Sequence, residues 1–219
     1  MLDIECIGNW RGHPDAEVAQ RRYRAMADGY DRTCHRIEPL RALAVQWLDP
    51  RPGETVFDIA CGTGITTVEL ARRVGPGGKV VGFELCKPMA ELASQRLRSA
   101  GARHADVVVG RVEDAATETR ADALFFSYTH DVLQQPEAIA GLRRLARPGA
   151  RYVVLGMRSL PWTWGLPVNL FVMWRARRYL TTYRGLSAPW ARLQAVSRDF
   201  RLAGTWHAGT SYIALGTLI

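Results

Sequence analysis

The run Val56-Phe57-Asp58-Ile59-Ala60-Cys61-Gly62-Thr63-Gly64 constrains this chain more than any other. An apolar strand ends in an acidic residue, two glycines then permit a sharp turn and a close backbone approach to a ligand, and a helix starts at about Thr66. Glu84 closes a second apolar run twenty residues after Gly64, where a carboxylate can accept both hydroxyls of a ribose. A dinucleotide-binding crossover shares that acidic residue. It also needs a third glycine near position 67, so that the helix N-terminus can carry a pyrophosphate, and position 67 is threonine. The loop suits a nucleoside whose tail carries an ammonium group, with Asp58 as the anion facing it.

The surrounding pattern alternates strand and helix: 55–59, 66–74, 79–84, 88–99, 105–109, 123–127, 136–146 and 151–156. Alternation of this kind predicts parallel strands joined by right-handed crossovers, hence an α/β three-layer sandwich. Gly75-Pro76-Gly77-Gly78, Gly101 and Pro148-Gly149 mark the turns from helix back into strand. Two helices, over 14–30 and 33–47, precede the sheet. Beyond Pro161 the composition shifts to Trp, Leu, Phe and Arg, with helices expected over about 166–180 and 188–197. A closing hairpin is expected over 200–207 and 210–218, with Gly209 in its turn.

The apolar strand, the acidic residue and the small residue before Gly-x-Gly resemble motif I of the class I, Rossmann-like methyltransferases. The resemblance implies S-adenosylmethionine as cofactor, S-adenosylhomocysteine as product, and a mostly parallel seven-stranded sheet whose last strand is antiparallel. It covers roughly residues 30 to 219. It implies cofactor contacts from Asp58, Ala60, Gly62, Gly64, Glu84, Leu85 and Ser127. Leu85-Cys86-Lys87-Pro88-Met89 is similar to the family segment whose methionine lies against the adenine; Met89 could equally be helix core. Gly110-Arg111-Val112-Glu113-Asp114 stands where the family often has Gly-Asp-Ala, so the Val112 backbone meets the adenine edge and Glu113 or Asp114 its amino group, unless these acids cap a helix beginning near Ala115. Ala25-Met26-Ala27-Asp28-Gly29-Tyr30-Asp31 is similar to a segment found in small-molecule methyltransferases, the quinone C-methyltransferases among them, whose tyrosine closes over the cofactor. The chain therefore divides into a helical lid over 1–50 and a catalytic domain over 51–219, with a substrate-side helical insertion at about 161–198.

Tyr30 and His130 are the candidate catalytic residues, His130 either as a general base titrating near neutrality or as a structural histidine. No Asp/Asn/Ser-Pro-Pro-aromatic run follows the fourth strand to grip a nucleobase amine, and no cysteine stands there for pyrimidine C5 chemistry. Although the net charge of +8 invites nucleic acid or an anionic membrane, these absences weigh against a nucleic acid substrate, and the resemblance to the small-molecule group implies a small, lipophilic acceptor. Aminocarboxypropyl transfer or cyclisation at the same cofactor, and RNA binding by a vestigial site, are the alternatives. Tryptophans and arginines over 162–178 suggest peripheral membrane contact. Cys6, Cys34, Cys61 and Cys86 have no metal-ligand spacing and read as reduced cysteines. Asp3 and Glu5 stand where a signal peptide would be basic, so a cytoplasmic protein is expected. Oligomeric state is not legible.

Overall fold

The computed structural model describes residues 12–219; Asp3, Glu5 and Cys6 lie outside the described residues. The chain opens with α1 (Ala16–Met26), a 3-10 turn (Ala27–Gly29), α2 (Tyr30–Cys34), a second 3-10 turn (His35–Ile37) and α3 (Glu38–Leu48). The core alternates β1 (Thr55–Ile59), α4 (Ile65–Val74), β2 (Lys79–Glu84), α5 (Lys87–Ser99), β3 (Ala105–Val109), β4 (Ala121–Ser127), α6 (His130–Leu133), α7 (Pro136–Leu145) and β5 (Ala146–Met157). It ends with α8 (Trp162–Ala176), the single turn α9 (Ala191–Gln194), β6 (Ser197–Trp206) and β7 (Ser211–Leu218).

The strands form one seven-stranded sheet in the order β3-β2-β1-β4-β5-β7-β6. The first five pair in parallel, and β7 runs antiparallel between β5 and β6. Successive residues of the central strands feed opposite layers, so these strands read as unbroken apolar runs. Phe57, Leu124 and Tyr152 enter the core beneath α7 and α9, while Val56, Phe125 and Val153 enter the core beneath α3 and α4. The expected three-layer architecture and antiparallel last strand are both present. The strand order reverses between β1 and β4, which opens a crevice at the carboxyl ends of the strands.

Several local expectations fail. The 14–30 helix stops at Met26 and gives way to a 3-10 turn. Pro148 and Gly149 lie inside β5 rather than ahead of it, in a pairing irregularity opposite Ala121 and Ala123. No helix starts near Ala115: the acids of Val112–Asp114 form a 3-10 turn, and 115–120 has no regular structure. The 166–180 helix begins earlier, at Trp162, and ends at Ala176. The helix continues through Pro167, although a proline there forfeits the bond its N–H would have made to the Thr163 carbonyl. The 188–197 helix shrinks to α9, because Ser197 already belongs to β6.

Candidate functional site

The site grows from the end of β1. Ala60 and Gly62 take left-handed conformations, with φ of 54° and 60°, and Gly64 follows at 78°. Glu84, at the end of β2, fastens this loop. Its Oε2 accepts the Gly62 N–H at 2.9 Å and its Oε1 accepts the Cys86 N–H at 2.8 Å, so one buried carboxylate ties together the entrances of α4 and α5. Burial pushes the Glu84 carboxyl upward, against the three backbone N–H groups that favour its ionised form.

Asp58 sits below the loop, 2% exposed, with Oδ2 accepting the Thr67 hydroxyl at 2.7 Å. Thr67, the residue that replaces a third glycine, therefore holds the carboxylate. Burial raises Asp58 to about 7; the Thr67 hydrogen bond and the charge of Arg41 oppose the rise, and Glu84 adds to it. Gly64 faces away from the crevice: a Cβ there would lie 2.8 Å from the Ala93 Cβ. Its role is to let α4 and α5 approach. At Gly62 the nearest atoms are the Met89 Cε and the Tyr30 Cε1, both at 3.8 Å.

A cleft with an interior of about 130 Å³, partly open to solvent, occupies the crevice. Among the residues singled out from the sequence, Tyr30, Ala60, Gly62, Glu84, Leu85, Val112, Glu113, Ser127 and His130 line it. Asp58 and Gly64 lie behind its wall. Met89 is 1% exposed and packs with Ala27 and Cys86 against Tyr23 and Tyr30. Glu113 faces the cleft and pairs with Arg111 at 3.7 Å, whereas Asp114 is exposed outside it.

Helix α1 forms the roof. Gln20 Nε2 donates to the Leu85 carbonyl, the Tyr23 hydroxyl to the Tyr179 carbonyl, and Arg22 to the carbonyls of Arg177 and Leu180. The rings of Tyr23, Tyr30 and Tyr179 form one aromatic cluster, and burial raises the phenols of Tyr23 and Tyr30. Just beyond Tyr30, Asp31 accepts from the Thr63 hydroxyl and from Arg96, which also bonds the Thr63 carbonyl. The roof is thus clamped to the glycine loop.

Residues given no role of their own from the sequence complete the wall: Gln20, Tyr23, and Tyr128, Thr129 and Asp131 of the run after the fourth strand. Asp131 follows His130 directly, and its acidity was the one local signal. Among the described residues no group of His, Cys, Asp and Glu side chains could hold a metal ion.

Residues 56–149 match a family described as a methyltransferase domain. The chain is 33% identical over 124 residues to a 2-phytyl-1,4-naphtoquinone methyltransferase of Trichormus variabilis, covering 55% of this chain and 53% of that protein. It is 29% identical over 130 residues to a demethylmenaquinone methyltransferase of Symbiobacterium thermophilum, covering 57% and 51%. A crystal structure of a SAM-dependent methyltransferase from Aquifex aeolicus matches the fold with a TM-score of 0.64 at 17% identity, over 91% of this chain and 98% of that one. The chain spans about half the length of the curated relatives it matches. The matched segment holds the glycine loop and both acidic strand ends, and the fold as a whole is similar to that of a SAM-dependent methyltransferase. The relatives just named are named for methyl transfer to quinones, and nothing in their names points to aminocarboxypropyl transfer, cyclisation or RNA binding.

Proposed function

We propose that this chain binds S-adenosylmethionine in the cleft and transfers its methyl group to a small lipophilic acceptor of the quinone type. The observation that carries this reading is the Glu84 carboxylate, buried at a strand end in the cleft wall and already clamping the Gly62 amide. Its remaining lone pairs suit the two ribose hydroxyls. The Val112 backbone and Glu113 would meet the adenine, while Ala60, Gly62, Leu85 and Ser127 shape the wall. Asp58 would face the ammonium group through the loop, as an electrostatic partner rather than a lining residue. When bound, the cofactor supplies a methyl group activated by a positively charged sulfur. The chain's own part is alignment of the acceptor and exclusion of water. The segment from α1 to Tyr30 serves as the lid; α3 within 1–50 belongs to the sandwich, because Leu40, Ala44, Val45 and Leu48 join its core.

Incubation with the cofactor and with lipid, quinone and polar metabolite fractions tests the activity. S-adenosylhomocysteine should form with a lipophilic fraction; methylthioadenosine, or methylation confined to polar products, would overturn the reading. Cofactor binding should also release protons. Asp58, at about 7, is largely protonated at pH 6, and a neighbouring ammonium favours its ionised form. Calorimetry in buffers of different ionisation heat should show close to one proton released at pH 6 and far less at pH 8. Asp58→Asn should abolish the difference, and buffer-independent heats at both pH values would refute the contact.

The acceptor would arrive from a membrane surface through residues 162–178. Along α8 only Gly165, Asn169, Met173 and Ala176 are buried. Trp164, Leu166, Leu170, Phe171 and Trp174 lie outward, Trp164 at 65% exposure. Arg175 stacks over Phe171 and Arg177 over Trp174, so cations border the aromatic surface. This is the composition of an interfacial helix: rings at the headgroup boundary and arginines for anionic lipid. With 15 residues α8 is about 22 Å long, and no helix of the described residues is long and apolar enough to cross a membrane. Wild-type protein should co-sediment with anionic vesicles and lose most of that binding when Arg175, Arg177 and Arg178 become Gln. No sedimentation with anionic or neutral vesicles would end the membrane reading.

A further inference from the structure

β4 ends at Ser127, and Tyr128 then takes a left-handed φ of 57° while its N–H stays bonded to the Leu155 carbonyl. A non-glycine residue held in that region is strained, and such strain gathers at functional sites. The turn brings Thr129, His130 and Asp131 into the cleft wall. Three consecutive side chains there each keep a polar atom shut off from solvent with no hydrogen-bond partner: Thr129 Oγ1, His130 Nδ1 and Asp131 Oδ1. Only five such atoms occur among the described residues, so three neighbours in one wall call for a common cause.

The second polar atoms of His130 and Asp131 are engaged, which fixes what their free ones can do. His130 Nε2 lies 3.1 Å from the Arg184 carbonyl oxygen. A carbonyl can only accept, so Nε2 carries the proton and Nδ1 presents a lone pair. Asp131 Oδ2 accepts the Thr181 N–H at 2.9 Å and the Thr181 hydroxyl at 2.6 Å, which orients the carboxylate and leaves Oδ1 bare. Nδ1 and Oδ1 both accept, while the Thr129 hydroxyl can do either. A molecule seated here must bring donors.

Building on the proposed methyl transfer, we propose that Thr129, His130 and Asp131 form the polar end of the acceptor site, where His130 Nδ1 and Thr129 Oγ1 hold a hydroxyl-bearing aromatic acceptor and Asp131 Oδ1 takes its proton. The hydroxyl O–H bond breaks with its electron pair left on oxygen, and the proton forms a new O–H bond on Asp131. S-adenosylmethionine, when bound, would supply the methyl group to that electron-rich oxygen, the electron pair of the broken methyl–sulfur bond going to sulfur. The proton leaves Asp131 for water once the lid opens. Burial lifts Asp131 to about 6 against its Thr181 hydrogen bonds, the nearby Thr182 N–H and the charge of Arg22, which leaves it ionised near neutral pH yet able to hold a proton. Burial depresses His130 to about 4 despite its bond to the Arg184 carbonyl, so its imidazole is a hydrogen-bond acceptor and a poor base. A fully oxidised quinone offers only carbonyl oxygens, which would oppose both acceptor atoms.

The test uses the full chain loaded with S-adenosylhomocysteine and two probes under anaerobic conditions, 1,4-dihydroxynaphthalene and 1,4-naphthoquinone. Calorimetry should give at least about tenfold tighter binding of the dihydroxy probe to wild type, because a site built around a donor rejects an analogue lacking it. His130→Phe should bring the ratio to within about threefold. With S-adenosylmethionine and the dihydroxy probe, Asp131→Asn should lower kcat about a hundredfold or more at nearly unchanged KM, and Asp131→Glu should recover part of it. All three variants should bind S-adenosylhomocysteine like wild type, which separates loss of the site from loss of the fold. Equal binding of the two probes, no methylation of the dihydroxy probe by wild type, or an Asp131→Asn kcat within about fivefold of wild type would each overturn the assignment while leaving the cofactor reading in place. Failure of wild type to bind S-adenosylhomocysteine would overturn both.

Discussion

Glu84→Ala is expected to weaken S-adenosylmethionine binding by about 3 kcal/mol, somewhat more than a hundredfold, from the loss of hydrogen bonds to a charged acceptor. The carboxylate serves twice. It fixes the loop through the Gly62 and Cys86 amides, and its free lone pairs are the ones offered to the ribose. Alanine would leave both amides without an acceptor, which destabilises, and would also remove a carboxylate that burial disfavours, which offsets part of that loss. The thermal midpoint should therefore fall by only a few degrees while affinity collapses. Glu84→Gln, which keeps one acceptor oxygen, should lie between the two. Calorimetry and thermal denaturation check this directly. Affinity of the alanine variant within threefold of wild type would remove Glu84 from the site.

Legibility from sequence followed the range of the forces involved. The bounds of β1, β2 and β3 coincide with the apolar runs 55–59, 79–84 and 105–109, because glycine and proline turns punctuate these runs and the sheet's buried centre keeps β1 and β2 apolar. Near the end the same reasoning failed. Trp190 and Leu193 look like a helical face, yet Trp190 packs against Phe200 and Tyr212 of the terminal hairpin, and periodicity cannot tell which neighbour an apolar residue will meet. The site divides in the same way. Gly62 and Glu84 are legible because turn chemistry and strand-end placement are local. Asp31 gains its meaning from Arg96, 65 residues away, and Asp131 from Thr181, 50 residues away, so nothing beside Asp31 announced its role and only the adjacent His130 hinted at that of Asp131. Thr67 was noted only as the absence of a glycine, whereas its hydroxyl holds Asp58.

The two loop glycines should fail in opposite ways. Gly64→Ala is expected to destabilise the fold by about 3 kcal/mol, combining about 1 kcal/mol for an L-residue in a left-handed conformation with about 2 kcal/mol of overpacking. The overpacking is hard to relieve because the new methyl would meet the Ala93 Cβ at 2.8 Å and the Ala93 Cα at 2.9 Å, the second of these being helix backbone. For a chain of this size the midpoint should drop by roughly 6–12 °C. Adding Ala93→Gly should restore only part of the loss, since the clash with the α5 backbone remains and glycine inside α5 costs about 1 kcal/mol. Gly62→Ala meets nothing closer than 3.8 Å, so strain of about 1 kcal/mol is its whole structural cost. Its methyl would, however, stand in the cleft wall facing the Tyr30 ring, and S-adenosylmethionine affinity should fall at least about tenfold, a loss of about 1.4 kcal/mol. Thermal denaturation and cofactor titration of both variants separate the roles. A larger midpoint shift for Gly62→Ala than for Gly64→Ala would reverse the assignment, making Gly62 the packing glycine and Gly64 the one that faces the ligand.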